Sequence, residues 1–253
     1  MTNGSSLTGH GDELVVVHSS DLHLGSGPYH RRRETDELGA LHEVLAAALE
    51  LNAHALLLAG DIFDHNRLPL VLLDRAARAM ADAALPIVIL PGNHDPITPD
   101  SVYRRGGLAD PANVHVLGIT VDERLDLPDL ELEIWGTPHA DYHDMSPLHP
   151  PRERSMARQI VMGHGHWLTG PHDAHRSWLI FDEDIAASTA DYVALGHWDL
   201  AQPAGDGSVP AYYSGSPLYS GSVNVVTIAR DGGVDVRRKP LRPGVPERFE
   251  APA

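Results

Sequence analysis

Short hydrophobic runs alternate with amphipathic stretches in the first part of the chain. Apolar residues fill positions 14–17, 55–58 and 87–90 without interruption, which is typical of buried strands. Between them, apolar residues recur at three- and four-residue spacing over 38–49, and a second amphipathic stretch covers about 70–84. These two stretches are predicted to be helices. Continuously apolar strands separated by amphipathic helices indicate a sheet that is covered on both faces.

The second half is richer in predicted strands. They cover residues 114–117, 132–135, 160–162, 178–181, 192–195, 211–214 and 223–228. The whole pattern predicts an α/β fold in which two packed mixed sheets are flanked by helices. Residues 139–155 carry three prolines and are predicted to form a long surface loop.

Polar clusters follow five of the predicted strands, usually after a glycine that lets the backbone turn tightly. They read SSDLHLG at 19–25, GDIFD at 60–64, GNHD at 92–95, GHGH at 163–166 and GHWD at 196–199. Because open α/β sheets bind ligands at the carboxyl ends of their strands, we expect the five clusters to converge on one site.

The clusters contain the donor atoms of a dinuclear metal site. Asp21 and His23 are two residues apart, as are His197 and Asp199. Residues two apart in an extended segment point to the same side, so each pair can send both side chains into one cavity. A single pair is usually explained by hydrogen bonding at a strand end, but recurrence at five strand ends favours metal binding. Two divalent cations held in this way suit phosphoester hydrolysis. The candidate ligands are Asp21, His23, Asp61, Asn93, His164, His197 and Asp199.

Composition narrows the metals and the partners. The 253 residues include 17 histidines and no cysteine, which excludes disulfides, iron–sulfur clusters and a cysteine nucleophile. Imidazole and carboxylate ligands suit Mn, Fe or Zn. The net charge of −16 is a poor match to a long polyanion unless bound cations change it locally. No apolar run approaches the ~18 residues of a membrane span, and residues 1–11 lack signal-peptide character, so we expect no membrane association and a cytoplasmic location.

The motifs resemble those of the calcineurin-like metallophosphoesterase superfamily, which read DxH, GDxxD, GNH[DE], GH and GHxH. The resemblance covers about residues 14–228 and implies a four-layer αββα sandwich, with a catalytic domain over 1–236 and a Pro-rich tail over 237–253. The sequences DLHLG at 21–25, GDIFD and YSGSP at 213–217 resemble the SbcD-type DNA repair exonucleases. That branch implies nucleic acid as a substrate and an SMC-like ATPase as a candidate partner.

The resemblance also implies a role for each residue of the site. Asp21, His23 and Asp61 would bind the first metal, and Asp61 would bridge to a second metal completed by Asn93, His164 and His197. His94 would be the catalytic histidine. Asp95 follows it and is expected to orient its imidazole, while Asp64 is expected to orient a ligand or close its own turn.

One position departs from the family pattern. Asp199 stands where the family has histidine. Its carboxylate either completes a harder site that favours Mn²⁺ over Zn²⁺ or holds the first metal weakly, with His166 as an alternative ligand.

Substrate contacts and function remain open between alternatives. Arg31, Arg32 and Arg33 either contact substrate phosphate or form a solvated helix start, and His139 is a weaker candidate for substrate contact. The leading interpretation is a dinuclear-metal phosphodiesterase related to the repair exonucleases. The alternatives are a hydrolase of small phosphodiesters or phosphomonoesters, such as cyclic nucleotides, and a metal-binding scaffold without turnover. The oligomeric state is left open.

Overall fold

A computed structural model describes residues 13–26, 36–149, 153–168, 170 and 175–249 of the chain. No helix in these ranges is long and apolar enough to cross a membrane.

Strands dominate the secondary structure. The first half contains β1 (Glu13–Ser19), α1 (Gly39–Glu50), β2 (Ala55–Ala59), α2 (Leu70–Asp82), β3 (Ile87–Leu90), β4 (Val114–Val116), β5 (Arg124–Leu127) and β6 (Leu132–Gly136). The second half contains β7 (Arg158–His164), β8 (His166–Trp167), β9 (Leu179–Ile180), α3 (Asp182–Ala187), β10 (Tyr192–Gly196), β11 (Gln202–Ala204), β12 (Ala211–Tyr213), α4 (Pro217–Ser220), β13 (Ser222–Ala229) and β14 (Val234–Pro240).

The strands form two mixed sheets of six strands each. The first has the order β14-β13-β1-β2-β3-β4, and β1 to β4 run parallel. The second has the order β11-β12-β10-β7-β6-β5, and β12, β10, β7 and β6 run parallel. A short parallel pair joins β8 to β9. The parallel strands of each sheet therefore end together at one edge.

Three hydrophobic clusters separate the layers. Strand β2 is buried on both faces, and its side chains alternate between two clusters. Leu56 and Leu58 pack with the apolar faces of α1 and α2, whereas Leu57 lies in a cluster shared by both sheets. A third cluster, which includes Val193 and Ile185 of α3, covers the outer face of the second sheet. This layering confirms the predicted arrangement of two sheets flanked by helices.

Several local predictions were wrong. The strand predicted over 178–181 is confined to Leu179–Ile180. Strands β5 and β11 and helices α3 and α4 were not predicted, because each is short.

The expected domain boundary after residue 236 falls within strand β14. Strand β14 crosses it and pairs antiparallel with β13 as far as Pro240. Within this strand, the Arg238 backbone N–H donates at 2.7 Å to the carbonyl of Glu247, a residue that lies beyond the strand. Residues 237–240 were assigned to the tail because residues 237–253 are basic and Pro-rich, a composition typical of an irregular terminal segment.

Candidate metal centre

The five polar clusters come together where parallel strands from both sheets end. Those following β1, β2 and β3 come from the first sheet, and those at the ends of β7 and β10 come from the second. Backbone hydrogen bonds continue the pairing of β1 and β2 into the loops that follow them. The Asp21 N–H donates to the Gly60 carbonyl and the His23 N–H donates to the Asp61 backbone carbonyl, each at 3.0 Å. The predicted convergence of these clusters is confirmed.

Two groups of candidate ligands share one carboxylate. The first consists of His23, Asp61 and His94, and the second of Asp61, His164 and His197. Within each group the potential ligand atoms all lie within 4.8 Å of one another. Asp61 belongs to both groups, which is the arrangement expected of a residue that bridges two cations.

The donor chemistry of the second group fits a cation. His164 Nδ1 lies 2.9 Å from the Ala59 carbonyl, a hydrogen bond that requires a proton on Nδ1. In a neutral ring, Nε2 then directs a lone pair at Asp61 Oδ2, 3.2 Å away, and at Asn93 Oδ1, 3.1 Å away. His197 Nδ1 also lies 3.1 Å from Asn93 Oδ1. A cation among these atoms removes the repulsion between lone pairs, so the residues fit a metal ion.

The electrostatics of the site demand positive charge. Burial lowers the pKa of His164, but the charge of Asp61 and its hydrogen bond outweigh burial and raise the pKa to about 9. Burial likewise lowers the pKa of His23, yet the Asp64 carboxylate, 3.5 Å from its Nδ1, and the charges of Asp61 and Asp21 raise it to about 9. Burial and the charge of Asp61 raise the pKa of Asp21 to about 6, although His164 opposes the shift.

His197 has the opposite environment. Burial and the charge of His164 lower its pKa to about 3, which leaves a neutral imidazole suited to a metal.

Four candidate ligands adopt a backbone conformation that is rare for non-glycine residues. The φ angles are 53° at Asp21, 46° at His23, 53° at Asp61 and 106° at His197. The assumption that Asp21 and His23 lie in an extended segment was therefore wrong, although both reach the site. The Asp21 carboxylate accepts the His197 N–H at 3.0 and 3.2 Å. Such strain persists where surrounding contacts enforce it, and it concentrates at functional sites.

Asp95 does not occupy the position expected of a group that orients His94. It is fully buried, and its carboxylate accepts backbone N–H groups from Gly92, Ile62 and Phe63 at 2.8, 2.8 and 3.0 Å. It also accepts the Tyr103 hydroxyl at 2.6 Å. Asp95 thus joins the loop after β3 to the loop after β2.

The partner of His94 is Asp64. His94 Nδ1 donates to the Asp64 carbonyl at 2.9 Å, and the Asp64 carboxylate lies 3.5 Å from His23 Nδ1. The neighbouring His23 imidazole lowers the pKa of Asp64 and keeps its carboxylate charged. Asp64 therefore positions the two histidines of the first group, as expected of a residue that orients a ligand.

Asp199 and His166 lie outside both ligand groups of the described residues. Asp199 is exposed, and its backbone carbonyl accepts the Ser216 N–H at 3.0 Å. His166 is buried, with its ring stacked on Trp198 at 5.1 Å. The structure therefore places neither Asp199 nor His166 in the group of ligand atoms that contains His23 and Asp61.

The one candidate substrate contact among the described residues, His139, is not exposed at the site. His139 is fully buried, and its Nε2–H donates to the His164 carbonyl at 2.8 Å, so it lies behind the ligand strand. Arg31, Arg32 and Arg33 lie outside the described residues.

One residue beside the centre was missed. Trp178 was assigned to a predicted strand, yet its ring centroid lies 5.8 Å from that of His197. The sequence around it carries no motif that would single it out.

The environment of Asp95 gives a testable expectation. Asp95→Asn replaces one carboxylate oxygen with an amide NH2 group, which cannot accept a hydrogen bond, so at least one buried donor is left unsatisfied. We expect a loss of about 2–4 kcal/mol in the free energy of unfolding, measured by urea denaturation. Tyr103→Phe removes one donor only and should cost less. Unchanged stability of Asp95→Asn together with lost activity would instead support a role in orienting His94.

Comparison with known proteins is consistent with this site. The family model described as calcineurin-like phosphoesterase matches residues 14–236. The chain is 30% identical over 247 residues to the DNA double-strand break repair protein Mre11 of Haloferax volcanii, an alignment covering 89% of this chain and 52% of that protein. It is 26% identical over 260 residues to the SbcD subunit of the nuclease SbcCD of Bacillus subtilis, covering 84% of this chain and 66% of that protein.

A solved structure is similar in fold. The crystal structure of TT1561 of Thermus thermophilus aligns with a TM-score of 0.58 and 15% identity, covering 90% of this chain and 99% of that one. The alignments with Mre11 and SbcD cover 52% and 66% of those proteins, so the chain spans less than two thirds of their length. The predicted motifs lie within residues 14–236, which the family model matches. The chain belongs to the calcineurin-like phosphoesterase family, whose activity is the hydrolysis of phosphoesters.

Proposed function

We propose that this protein is a two-metal phosphodiesterase that cleaves nucleotide or nucleic-acid phosphodiesters while contacting only one or two phosphates. The observation that carries the proposal is that Asp61 belongs to two groups of ligand atoms at once. A shared carboxylate between two such groups is suited to a pair of divalent cations, and paired cations suit phosphodiester hydrolysis.

The residues proposed to hold the cations are assigned from the motif resemblance. The two ligand groups support His23, Asp61, His164 and His197, whereas Asp21 lies outside both groups and its carboxylate accepts the backbone N–H of His197. Asp21, His23 and Asp61 are assigned to the first metal, and Asp61, Asn93, His164 and His197 to the second. Mn²⁺ is proposed as the natural ion, with Fe²⁺ and Zn²⁺ as alternatives for this mixed nitrogen and oxygen set. When bound, such ions activate water and neutralise phosphate charge.

His94 is proposed to donate a proton to the leaving-group oxygen. Since its Nδ1–H is donated to the Asp64 carbonyl, Nε2 is the nitrogen available to protonate a departing oxygen. The side chain is 44% exposed, so a substrate can reach it. The backbone N–H of His94 also donates to Asp61 Oδ1 at 2.8 Å, which links the residue proposed as the proton donor to the shared carboxylate.

Two observations bear on the substrate. The relatives are named as a double-strand break repair protein and a nuclease subunit, which supports nucleic-acid phosphodiesters and an assembly with a partner such as an SMC-like ATPase. The charge of −16 favours a smaller substrate. Two cations of strand β14 form ion pairs: Arg237 Nε lies 2.7 Å from Asp235 Oδ2, and Lys239 Nζ lies 2.7 Å from Glu50 Oε1. We therefore assign few phosphate contacts.

The proposed roles separate metal binding from proton transfer. His94→Ala should keep two metals per chain and lose about 10²–10⁴-fold in turnover of a phosphodiester with a poor leaving group. Asp61→Ala should lose both metals and activity, because no neutral side chain offsets the repulsion between two cations. Elemental analysis and steady-state kinetics provide the measurements. Loss of one metal from His94→Ala would make His94 a ligand.

Salt dependence tests the proposed number of phosphate contacts. With metal saturating, the apparent affinity for a single-stranded oligonucleotide should fall by about 0.7 log units per contact for each tenfold increase in salt. We expect a slope equivalent to one or two contacts, together with cleavage of a small phosphodiester. Lys239→Gln should leave the slope unchanged, since Glu50 already pairs with that lysine. A slope equivalent to five contacts would indicate an extended cationic track and contradict the proposal.

A further inference from the structure

An aromatic ring stands beside the second group of metal ligands. The centroid of the Trp178 ring lies 5.8 Å from that of His197 and 5.4 Å from that of His139. His197 belongs to the proposed second metal site, and His139 supports the strand that carries His164. Trp178 keeps part of its surface exposed. Its side chain is therefore placed where it can meet a group attached to a phosphate bound at the centre.

The position of Trp178 is enforced by its neighbours. Its backbone N–H donates to Asp144 Oδ1 at 2.6 Å, and its indole N–H donates to the His143 carbonyl at 2.9 Å. The φ angle is 56°, a conformation that a bulky residue rarely adopts without such support. Because the indole N–H is already used, the ring offers a ligand its apolar faces and edges rather than a hydrogen bond.

We propose that Trp178 is a stacking platform for a nucleobase next to the scissile phosphate, and that it selects nucleotide phosphodiesters over those without a planar group. The inference rests on the proposed function and names its substrate class. Every base presents a π-face, so stacking on tryptophan is tolerant of sequence. It also requires no positive charge, and a binding contribution of this kind suits a chain whose net charge of −16 repels polyanions.

A pair of matched substrates tests the proposal. One is a thymidine dinucleotide, and the other is the same molecule with an abasic sugar in place of each nucleoside. We expect Trp178→Leu to lower kcat/KM for the dinucleotide by about 5- to 150-fold, the range given by the loss of one base–aromatic stack. The abasic substrate should change by less than about twofold. Trp178→Phe should restore most of the loss, since phenylalanine keeps an aromatic face.

Control measurements separate stacking from support of His197. Trp135→Leu removes a tryptophan that packs against Arg124, with 4.9 Å between the guanidinium carbon and the ring centroid, and it should leave both substrates unaffected. Elemental analysis should find unchanged metal content in Trp178→Leu. An equal loss on both substrates, or loss of metal, would make Trp178 a structural support and overturn the proposal.

A binding readout keeps the proposal independent of turnover. Adenosine 5′-monophosphate added to the metal-loaded protein should quench tryptophan fluorescence, whereas 2-deoxyribose 5-phosphate should not. The quenching should be lost in Trp178→Leu and retained in Trp135→Leu. Quenching that persists without Trp178 would overturn the stacking site. If the wild-type protein binds the nucleotide through Trp178 but hydrolyses neither substrate, the proposed function fails while the stacking site stands.

Discussion

The site depends on one buried carboxylate. Asp61 is 2% exposed, and a charge removed from water in this way is costly unless opposite charge compensates it. Burial raises the pKa of Asp61, but the charge of His164 and its hydrogen bond outweigh burial, so the pKa lies well below its usual range. The chain around Asp61 is therefore built to keep a negative charge at this position and to bring positive charge to it.

The approach of the two sheets makes this arrangement fit. A Cβ atom on Gly92 would meet the Asp61 carboxylate and backbone, so only glycine lets the loop after β3 pass so close. A Cβ atom on Gly196 would meet the Ala59 carbonyl and lie 2.8 Å from His164 Nδ1. The glycines that begin the polar clusters thus allow strand ends from different sheets to share one ligand set. The second sheet supplies the imidazoles of His164 and His197, and the first supplies His23, the carboxylates and the amide.

The sequence predicted the convergence of ligands better than their local geometry. Apolar strands followed by glycine and polar residues identified the loops of Asp61, Asn93 and His164, because the period and the end of a buried strand are visible in the pattern. The sequence pattern did not show that the Asp95 carboxylate would accept hydrogen bonds from three backbone N–H groups, since those donors belong to loops that meet only in the folded chain. The short motif also suggested Asp199 as a ligand, yet the backbone after His197 leaves it exposed. Trp178 could not be found because its neighbours are distant in sequence.

The most direct test of a dinuclear centre is anomalous diffraction from crystals of this protein soaked in Mn²⁺. The proposed dinuclear centre should give two anomalous peaks about 3.5–4 Å apart, with Asp61 in contact with both. His23 should contact the first ion, and His164 and His197 the second. A single peak, or two peaks that do not share Asp61, would contradict the assignment of this carboxylate as the bridge.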